Sequence, residues 1–404
     1  MALIVQKYGG TSIATVERIR NVAYKVAEEV NNGNQVAVVV SAMAGVTNSL
    51  ISLINDCVDE ITSPAEYDVV AATGEQVTAG LLALTLQNIG IDARSWMGWQ
   101  IPINTDSVYK KAMIENIDVA PIIDSMNKGS VAVIAGFQGK SADNRITTLG
   151  RGGSDATAVA LAHYLKAERC DIFTDVDGVF TADPRIISDA RKIDHLNFDE
   201  MLEFSTQGAK VLQAQSVLLA KQYDMPVHIL SSLTVSTGTL VSKSSGNYTH
   251  KGIIGIASDK NCALVGFELG QLNKNHLEEY LNEHHISVSA FDDGKLDYMI
   301  VRHEDLETVR EYISSKDLTP SVMLDKVAKV SLVGNSMNEF EEIIKKKVAT
   351  VIAQFNINWH ADFTTSKCLS IVVSNQKSEE LVRELHKIFN LAQLSNVKLA
   401  SSAK

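Results

Sequence analysis

Leu3-Ile4-Val5-Gln6-Lys7-Tyr8-Gly9-Gly10-Thr11-Ser12 opens the chain, and its reading decides the fold. Residues 3–5 are apolar, as in a first β-strand, and Gly9-Gly10 break the run. Thr11 or Ser12 is placed to cap a helix whose apolar positions Val16, Ile19, Ala23, Val26 and Val30 follow the 3.6-residue period. Asn31-Asn32-Gly33 stops that helix, and residues 36–40 read as a strand buried on both faces. Strand, glycine turn, helix and strand in this order imply a parallel pair joined by a right-handed crossover. Similar strands are predicted at 131–134, 171–173 and 227–230, with helical patterns between them, so residues 1–245 read as one large α/β domain.

The bulk numbers narrow the class. A chain of 404 residues exceeds what one core usually holds and implies two or three domains. Hydrophobic residues at 45% and charged residues at 21% are ordinary globular usage. No apolar run is expected to reach the ~20 residues of a membrane span, and the apolar N-terminal run is too short for a signal peptide. Cys57, Cys170, Cys262 and Cys368 lie far apart with no CxxC spacing, which argues for the cytoplasm and against a disulfide framework or zinc site. The net charge of −11 disfavours a nucleic-acid partner. An anionic substrate must therefore be met by individual lysines and arginines.

Ser242-Lys-Ser-Ser-Gly-Asn247 is the best linker candidate. Beyond it, strands alternate with helices that have one apolar face. A strand at 262–268 precedes a helix bearing Leu277, Tyr280 and Leu281, and strands at 286–291 and 296–302 flank an Asp292-Asp-Gly294 hairpin turn. After a helix near 304–313 the pattern repeats, from a strand at 327–333 to a helix bearing Leu381, Leu385 and Phe389. Two βαββαβ-like modules in tandem, at 260–326 and 327–404, fit this pattern.

Five stretches carry chemistry. Lys7 beside Gly9 and Gly10 suits a phosphate, because backbone N–H groups and a helix dipole receive the oxygens while the ammonium adds a full charge. A plain Gly-Gly turn with a solvated lysine fits this fragment equally well. Ser41-Ala-Met-Ala-Gly45-Val-Thr47 follows the second strand, where open α/β sheets bind ligands, though hydroxyls that merely cap the next helix read as well. Glu75 begins an otherwise apolar helix, a position at which glutamate usually only complements the dipole. In Thr148-Leu-Gly-Arg-Gly-Gly-Ser-Asp155, Arg151 can grip a carboxylate at two points, Gly152 and Gly153 allow close backbone approach, and Ser154 adds a donor. Asp155 organises that site or simply caps the following helix. Thr174-Asp175 and Phe180-Thr-Ala-Asp183-Pro-Arg185 form turns that suit adenine, ribose and phosphates, or an ordinary strand–turn–strand. Neither GxxxxGK[ST] nor an H-R-D with D-F-G pair occurs, and no histidine spacing suggests a metal.

Lys7–Ser12, Thr148–Asp155 and Phe173–Arg185, in this order, together resemble the aspartate kinases of the amino-acid kinase family. The resemblance implies a three-layer αβα amino-acid kinase fold with a mainly parallel sheet, followed by two ferredoxin-like ACT modules. It implies MgATP-dependent phosphorylation of the L-aspartate side chain, the committed step toward lysine, methionine, threonine and isoleucine. By resemblance Lys7, Glu75 and Asp155 are catalytic, with Lys7 on the transferring phosphoryl group and Asp155 organising. Thr47, Glu75, Arg151, Gly152, Gly153 and Ser154 surround aspartate, with Glu75 on its ammonium. Lys7, Gly9, Gly10, Ser41, Thr174, Asp175, Phe180, Asp183, Arg185 and Lys210 serve the nucleotide. The only metal expected is the Mg²⁺ that accompanies ATP. No general base is needed, because a carboxylate nucleophile of pKa about 3.9 is already ionised.

Rivals are another carboxylate kinase, such as acetylglutamate or glutamate 5-kinase, and an effector-binding protein with a dead kinase domain. The Arg151–Asp155 motif with tandem modules opposes the first, and the intact charged motif positions oppose the second. No GxGxxG supports a fused homoserine dehydrogenase. The modules imply a homodimer and an amino-acid effector, lysine or threonine. The effector turns depart from the family pattern at Glu268–Asn273 and Met337–Lys347, so weak inhibition is expected.

Overall fold

The structure is a computed structural model that describes residues 2–243, 252–357 and 359–393. It divides into two compact units. The first comprises Met1–Val179, Ile193–Leu202 and Val211–Ser245, and the second Phe180–Lys192, Glu203–Lys210 and Gly246–Lys404. The first domain expected at 1–245 thus cedes two segments to the second unit. Of the predicted linker, Ser242 ends a strand, and 244–247 lie outside the described residues.

Up to residue 242 the elements are β1 (Leu3–Tyr8), α1 (Val16–Asn31), β2 (Gln35–Val40), α2 (Val46–Cys57), α3 (Pro64–Ala71), α4 (Thr73–Asn88) and β3 (Ala93–Trp96). Then come β4 (Ile103–Thr105), β5 (Ile114–Ile117), α5 (Ala120–Met126), β6 (Val131–Ala135), β7 (Gln138–Lys140), β8 (Ile146–Thr148), α6 (Gly153–Tyr164) and β9 (Arg169–Thr174). The chain leaves the first unit along β10 (Val179–Phe180) and returns along β11 (Lys192–Ile193). After it come β12 (His195–Asn197), α7 (Phe198–Thr206), α8 (Ala214–Tyr223), β13 (Val227–Ser231) and β14 (Thr239–Ser242).

The main sheet runs β12-β14-β13-β9-β1-β2-β6-β3. Pairs from β13 to β3 are parallel, and only β14 runs antiparallel to its neighbour β13. Central strands that are buried on both faces need uniform apolar sequence, as in the fully buried Val36–Val40 segment. One face packs Ile19, Val22 and Val26 of α1 and Leu82 and Leu86 of α4 against Val38 and Val133. In α6 every residue from Gly153 to Ala162 is buried, and its alanines allow close packing on all sides. The first helix starts later than predicted. Gly10–Ile13 forms a 3₁₀ turn, and the cap is Thr15, whose hydroxyl accepts from the Arg18 N–H at 3.3 Å.

One expectation about apolar runs needs correction. The stretch Pro64–Asn88 is long and apolar enough by length and composition to cross a membrane. It is a core helix pair instead: half of its most apolar window is buried, and it carries Asp68 and Glu75 inside the fold. Within it Val77, Leu81 and Leu84 are exposed, whereas Ala79, Leu82 and Leu86 face the core.

The second unit contains β15 (Gly252–Glu268), α9 (Lys274–Glu283), β16 (Ser289–Asp292), β17 (Leu296–Arg302), α10 (Leu306–Ser315) and β18 (Val322–Asn335). It continues with α11 (Glu341–Gln354), β19 (Trp359–Thr364), β20 (Cys368–Ser374) and α12 (Ser378–Ile388). All six strands lie in one antiparallel sheet ordered β16-β17-β15-β18-β20-β19. β17 pairs with β15 along 262–268 alone, and β20 with β18 along 327–333 alone, while β16 and β19 flank them on the outer sides. Each half therefore has ferredoxin-like strand order, but the second half is closed by 252–259, which precedes the first half in sequence. The first module is nested within the second. Ala182 and Ile187 join the core of this unit with Ile256, Leu332, Ile344 and Leu385.

Candidate active site

The carboxyl ends of β1, β2, β6 and β9 lie along one edge of the main sheet, and the chain departs to opposite sides of β1 at its neighbours β2 and β9. Such a switch point is where parallel sheets bind ligands. Lys7 sits there, 8% exposed, with its Nζ 2.5 Å from Oδ1 of Asp155. Asp155 is not the cap of α6. Gly152 occupies that position in left-handed conformation, and Asp155 lies in the first turn, where the helix dipole favours its charge. The Gly9-Gly10 turn follows Lys7. The Gly9 N–H donates to the Phe173 carbonyl at 3.2 Å, and a Cβ on Gly10 would lie 2.8 Å from the Ala42 carbonyl oxygen. Glycine is required at that close approach.

Glu75 comes to the same edge from α4. It is 3% exposed, and its Oε1 accepts from the Ala42 N–H at 2.9 Å. Burial pushes its carboxyl up to about 7, against the backbone N–H groups of Ala42 and Glu75 and the nearby Lys7 charge. Its Oε2 is buried and has no hydrogen-bond partner among the described residues. A buried carboxylate oxygen left in that condition is poised for a donor brought by a ligand.

Ser154 is buried at the start of α6, and Arg151 is exposed on the preceding loop. Gly136, at the end of β6, packs so closely that a Cβ there would stand 2.8 Å from the Ser154 hydroxyl oxygen. Gly152 has φ +71°, and a Cβ on Gly153 would meet Leu149 at 2.7 Å. Ser41 and Thr47 are half-buried at the β2–α2 connection, with the Ser41 N–H donating to the Tyr8 carbonyl at 3.1 Å. At the end of β9, the Thr174 hydroxyl donates to Asp175 at 3.1 Å.

The family model of the amino acid kinase family matches residues 2–231. Aspartokinase 2 of Bacillus subtilis is 40% identical over 97% of this chain and 99% of its own length. The chain belongs to the amino-acid kinase family, among the aspartokinases. Aspartokinase of Rickettsia felis is 36% identical over 97% of this chain and all of its own. Among solved structures, Escherichia coli aspartokinase III in complex with aspartate and ADP (R-state) matches with TM-score 0.82 and 26% identity, covering 95% of this chain and 99% of that one. The same enzyme in complex with lysine and aspartate (T-state) matches with TM-score 0.69 and 27% identity, over 96% and 99%.

The first unit of this aspartokinase-family chain thus gathers Lys7, Gly9, Gly10, Glu75 and Asp155 at one sheet edge, where Ser41 and Thr174 also lie. Phe180, Asp183, Arg185 and Lys210 belong to the second unit. There the Arg185 side chain grips Asp183 through Nε at 3.0 Å and a terminal nitrogen at 2.8 Å. Burial raises the Asp183 acid, and the Arg185 side chain and N–H more than offset it, leaving it below the ordinary carboxylate range. Lys210 is exposed. Among the described residues no group of three or more His, Cys, Asp or Glu side chains could hold a metal.

The sequence reading passed over Gly136 and Asp68. Asp68 is fully buried in α3 and bonds the strand end that leads into the Arg151 loop. A charged residue within the apolar run Tyr67-Asp68-Val69-Val70 was the available signal.

Proposed function

We propose that this chain transfers the γ-phosphoryl group of ATP to the side-chain carboxylate of L-aspartate, releasing ADP and 4-phospho-L-aspartate. What carries the reading is the buried Lys7 cation, held by Asp155 beside the Gly9-Gly10 turn, with the unpartnered Glu75 oxygen at the same edge. The difficulty of the reaction is the approach of two anions. Lys7 lowers it by supplying positive charge to the phosphoryl oxygens, and a buried setting makes that charge more effective than in water. Asp155 fixes the ammonium so that little reorganisation is needed. Glu75 takes the substrate ammonium, Arg151 takes a substrate carboxylate, and Thr47 and Ser154 add hydroxyl contacts. A carboxylate oxygen of aspartate forms the new bond to phosphorus as the bond to the β-phosphate oxygen breaks, and no proton moves.

Mg²⁺ bound with ATP would supply further positive charge to the phosphates, beside the charge that Lys7 provides. The nucleotide roles of Ser41, Thr174, Asp175, Phe180, Asp183, Arg185 and Lys210 rest on the resemblance of their motifs. The proposal extends to the first step of lysine, threonine and methionine synthesis, to a cytoplasmic homodimer without membrane or nucleic-acid partners, and to an amino-acid effector at the C-terminal modules. The free state of all four cysteines is in keeping with that compartment. An ADP-release assay with aspartate, glutamate and acetylglutamate tests the activity. Turnover confined to aspartate is expected, and turnover of glutamate or acetylglutamate alone would refute it.

A further inference from the structure

Asp68 is 0% exposed, a buried carboxylate in a helix whose only other buried residue is Ala71. Its Oδ1 accepts from the Thr148 hydroxyl at 2.7 Å, and its Oδ2 accepts from the Thr148 N–H at 2.8 Å and the Lys110 N–H at 3.0 Å. Thr148 is the last residue of β8, and Leu149, Gly150 and Arg151 follow it. The partner segment is laced to the same place. The Ala112 N–H donates to the Thr148 carbonyl at 2.9 Å, and a Cβ on Gly150 would stand 3.1 Å from the Lys110 carbonyl oxygen. Lys110 itself holds a left-handed φ of +69°, with its ammonium 4.9 Å from the centre of the Tyr67 ring. A buried charge met by one hydroxyl and two backbone donors is costly to disturb, because removing it strands those donors away from water.

The place of Asp68 in the chain gives this grip a purpose. α3 and α4 are separated only by Ala72, which keeps right-handed helical dihedrals, so Asp68 and Glu75 ride on one nearly continuous helical piece. We propose that Asp68 is a positioning residue that sets the span between the two ends of the amino-acid grip. It ties the helix bearing Glu75, which takes the substrate ammonium, to the strand end that leads into the loop bearing Arg151, which takes a substrate carboxylate. This rests on the function proposed above. A fixed span discriminates an amino acid from one a methylene longer, and an error of about an ångström costs up to ~100-fold in rate. Asp68, fully buried and bonded to Thr148 and Lys110, acts through that loop, so its removal loosens aspartate recognition while leaving the nucleotide side in place.

The test uses the full chain with Asp68→Asn, Thr148→Val and Thr148→Ser, each assayed for the KM of aspartate and of ATP. Amide hydrogen exchange is followed in peptides covering 108–113 and 148–153. Asp68→Asn is expected to raise the aspartate KM roughly tenfold or more with the ATP KM changed less than about threefold, and to speed exchange in both peptides. Thr148→Val gives a smaller shift of the same kind, and Thr148→Ser restores parental values. A folded Asp68→Asn with an unchanged aspartate KM, or with both KM values raised alike, overturns the proposal. Should Asp68→Asn fail to fold, Thr148→Val decides by the same two criteria. A parent protein that turns over no aspartate sinks the functional reading instead, and the exchange rates then report by themselves whether Asp68 holds the loop.

Discussion

Lys7 and Asp155 form a nearly buried ion pair, and removing one member of such a pair leaves an uncompensated charge. Lys7→Ala is expected to lower kcat by at least ~100-fold while aspartate binding stays near normal, because its charge is most useful in the transition state. It should also cost about 3 kcal/mol of stability in denaturant titrations at neutral pH. Near-normal turnover in that variant would remove Lys7 from the chemistry. Glu75 makes a pH prediction. With its carboxyl pushed up to about 7, it is neutral in acid and gains the charge needed to hold an ammonium only as pH rises through that value. The kcat/KM for aspartate should therefore climb between pH 6 and 8 along a limb that disappears in Glu75→Gln. The stability effect has the opposite sign. A folded-state acid raised above its unfolded value favours the fold below about 4.5, and that contribution is lost as pH rises to about 7. Glu75→Gln should therefore resist denaturant better than the parent above pH 7 while binding aspartate less well.

At the scale of elements, the loop from β8 into α6 is where geometry is tightest. Gly150 and Gly152 both have positive φ, and a Cβ on Gly152 would lie 2.3 Å from the Gln213 Cγ. Gly152→Ala is expected to cost about 1–2 kcal/mol through the left-handed backbone alone, measured as a lowered thermal midpoint. Arg151→Lys should act differently, raising the aspartate KM without a matching loss of stability, since an ammonium cannot reproduce a planar two-point grip. If Arg151→Lys changed only the KM for ATP, the two halves of the site would be assigned in reverse.

For the whole molecule, the division into units changes what a truncation does. Residues 1–245 read from the sequence as a self-sufficient domain, yet Ala182 and Ile187 lie in a core completed by Ile256, Leu332, Ile344 and Leu385. Lys329 of β18, itself buried, donates to the Thr206 carbonyl at 3.2 Å, and Ser331 donates to Gln207 at 3.1 Å. A chain ending at residue 245 strands those apolar and polar groups in water, so it should aggregate or bind a hydrophobic dye rather than fold as an isolated kinase. A soluble, cooperatively melting 1–245 fragment would contradict this. Light scattering on the full chain should give a dimer. Titration of lysine and threonine in the kinase assay is expected to give only weak inhibition, an expectation drawn from the departures from the resembled family's pattern at Glu268–Asn273 and Met337–Lys347, and strong inhibition at low effector would overturn it.

Local pattern was enough for the strand–glycine turn–helix opening and the parallel α/β class, since periodicity and turn chemistry are written in neighbouring residues, and the resemblance of three short motifs was enough for the family. Partnership was not. Glu75 and Asp155 each carried an adequate local explanation at a helix start, and only the fold brings Asp155 to Lys7 and leaves Glu75 buried with one oxygen unpartnered. Their acidity and reach are properties of burial and of groups distant in sequence, which no window of neighbouring residues contains. The strand 252–259 illustrates the same limit, because a strand's alternation says which faces are buried but not which strand it will pair with. Sequence determined the chemistry on offer and the elements that carry it. Tertiary structure decided which of those groups meet, because pairing across the sheet and exclusion of water are fixed only when distant segments close on one another.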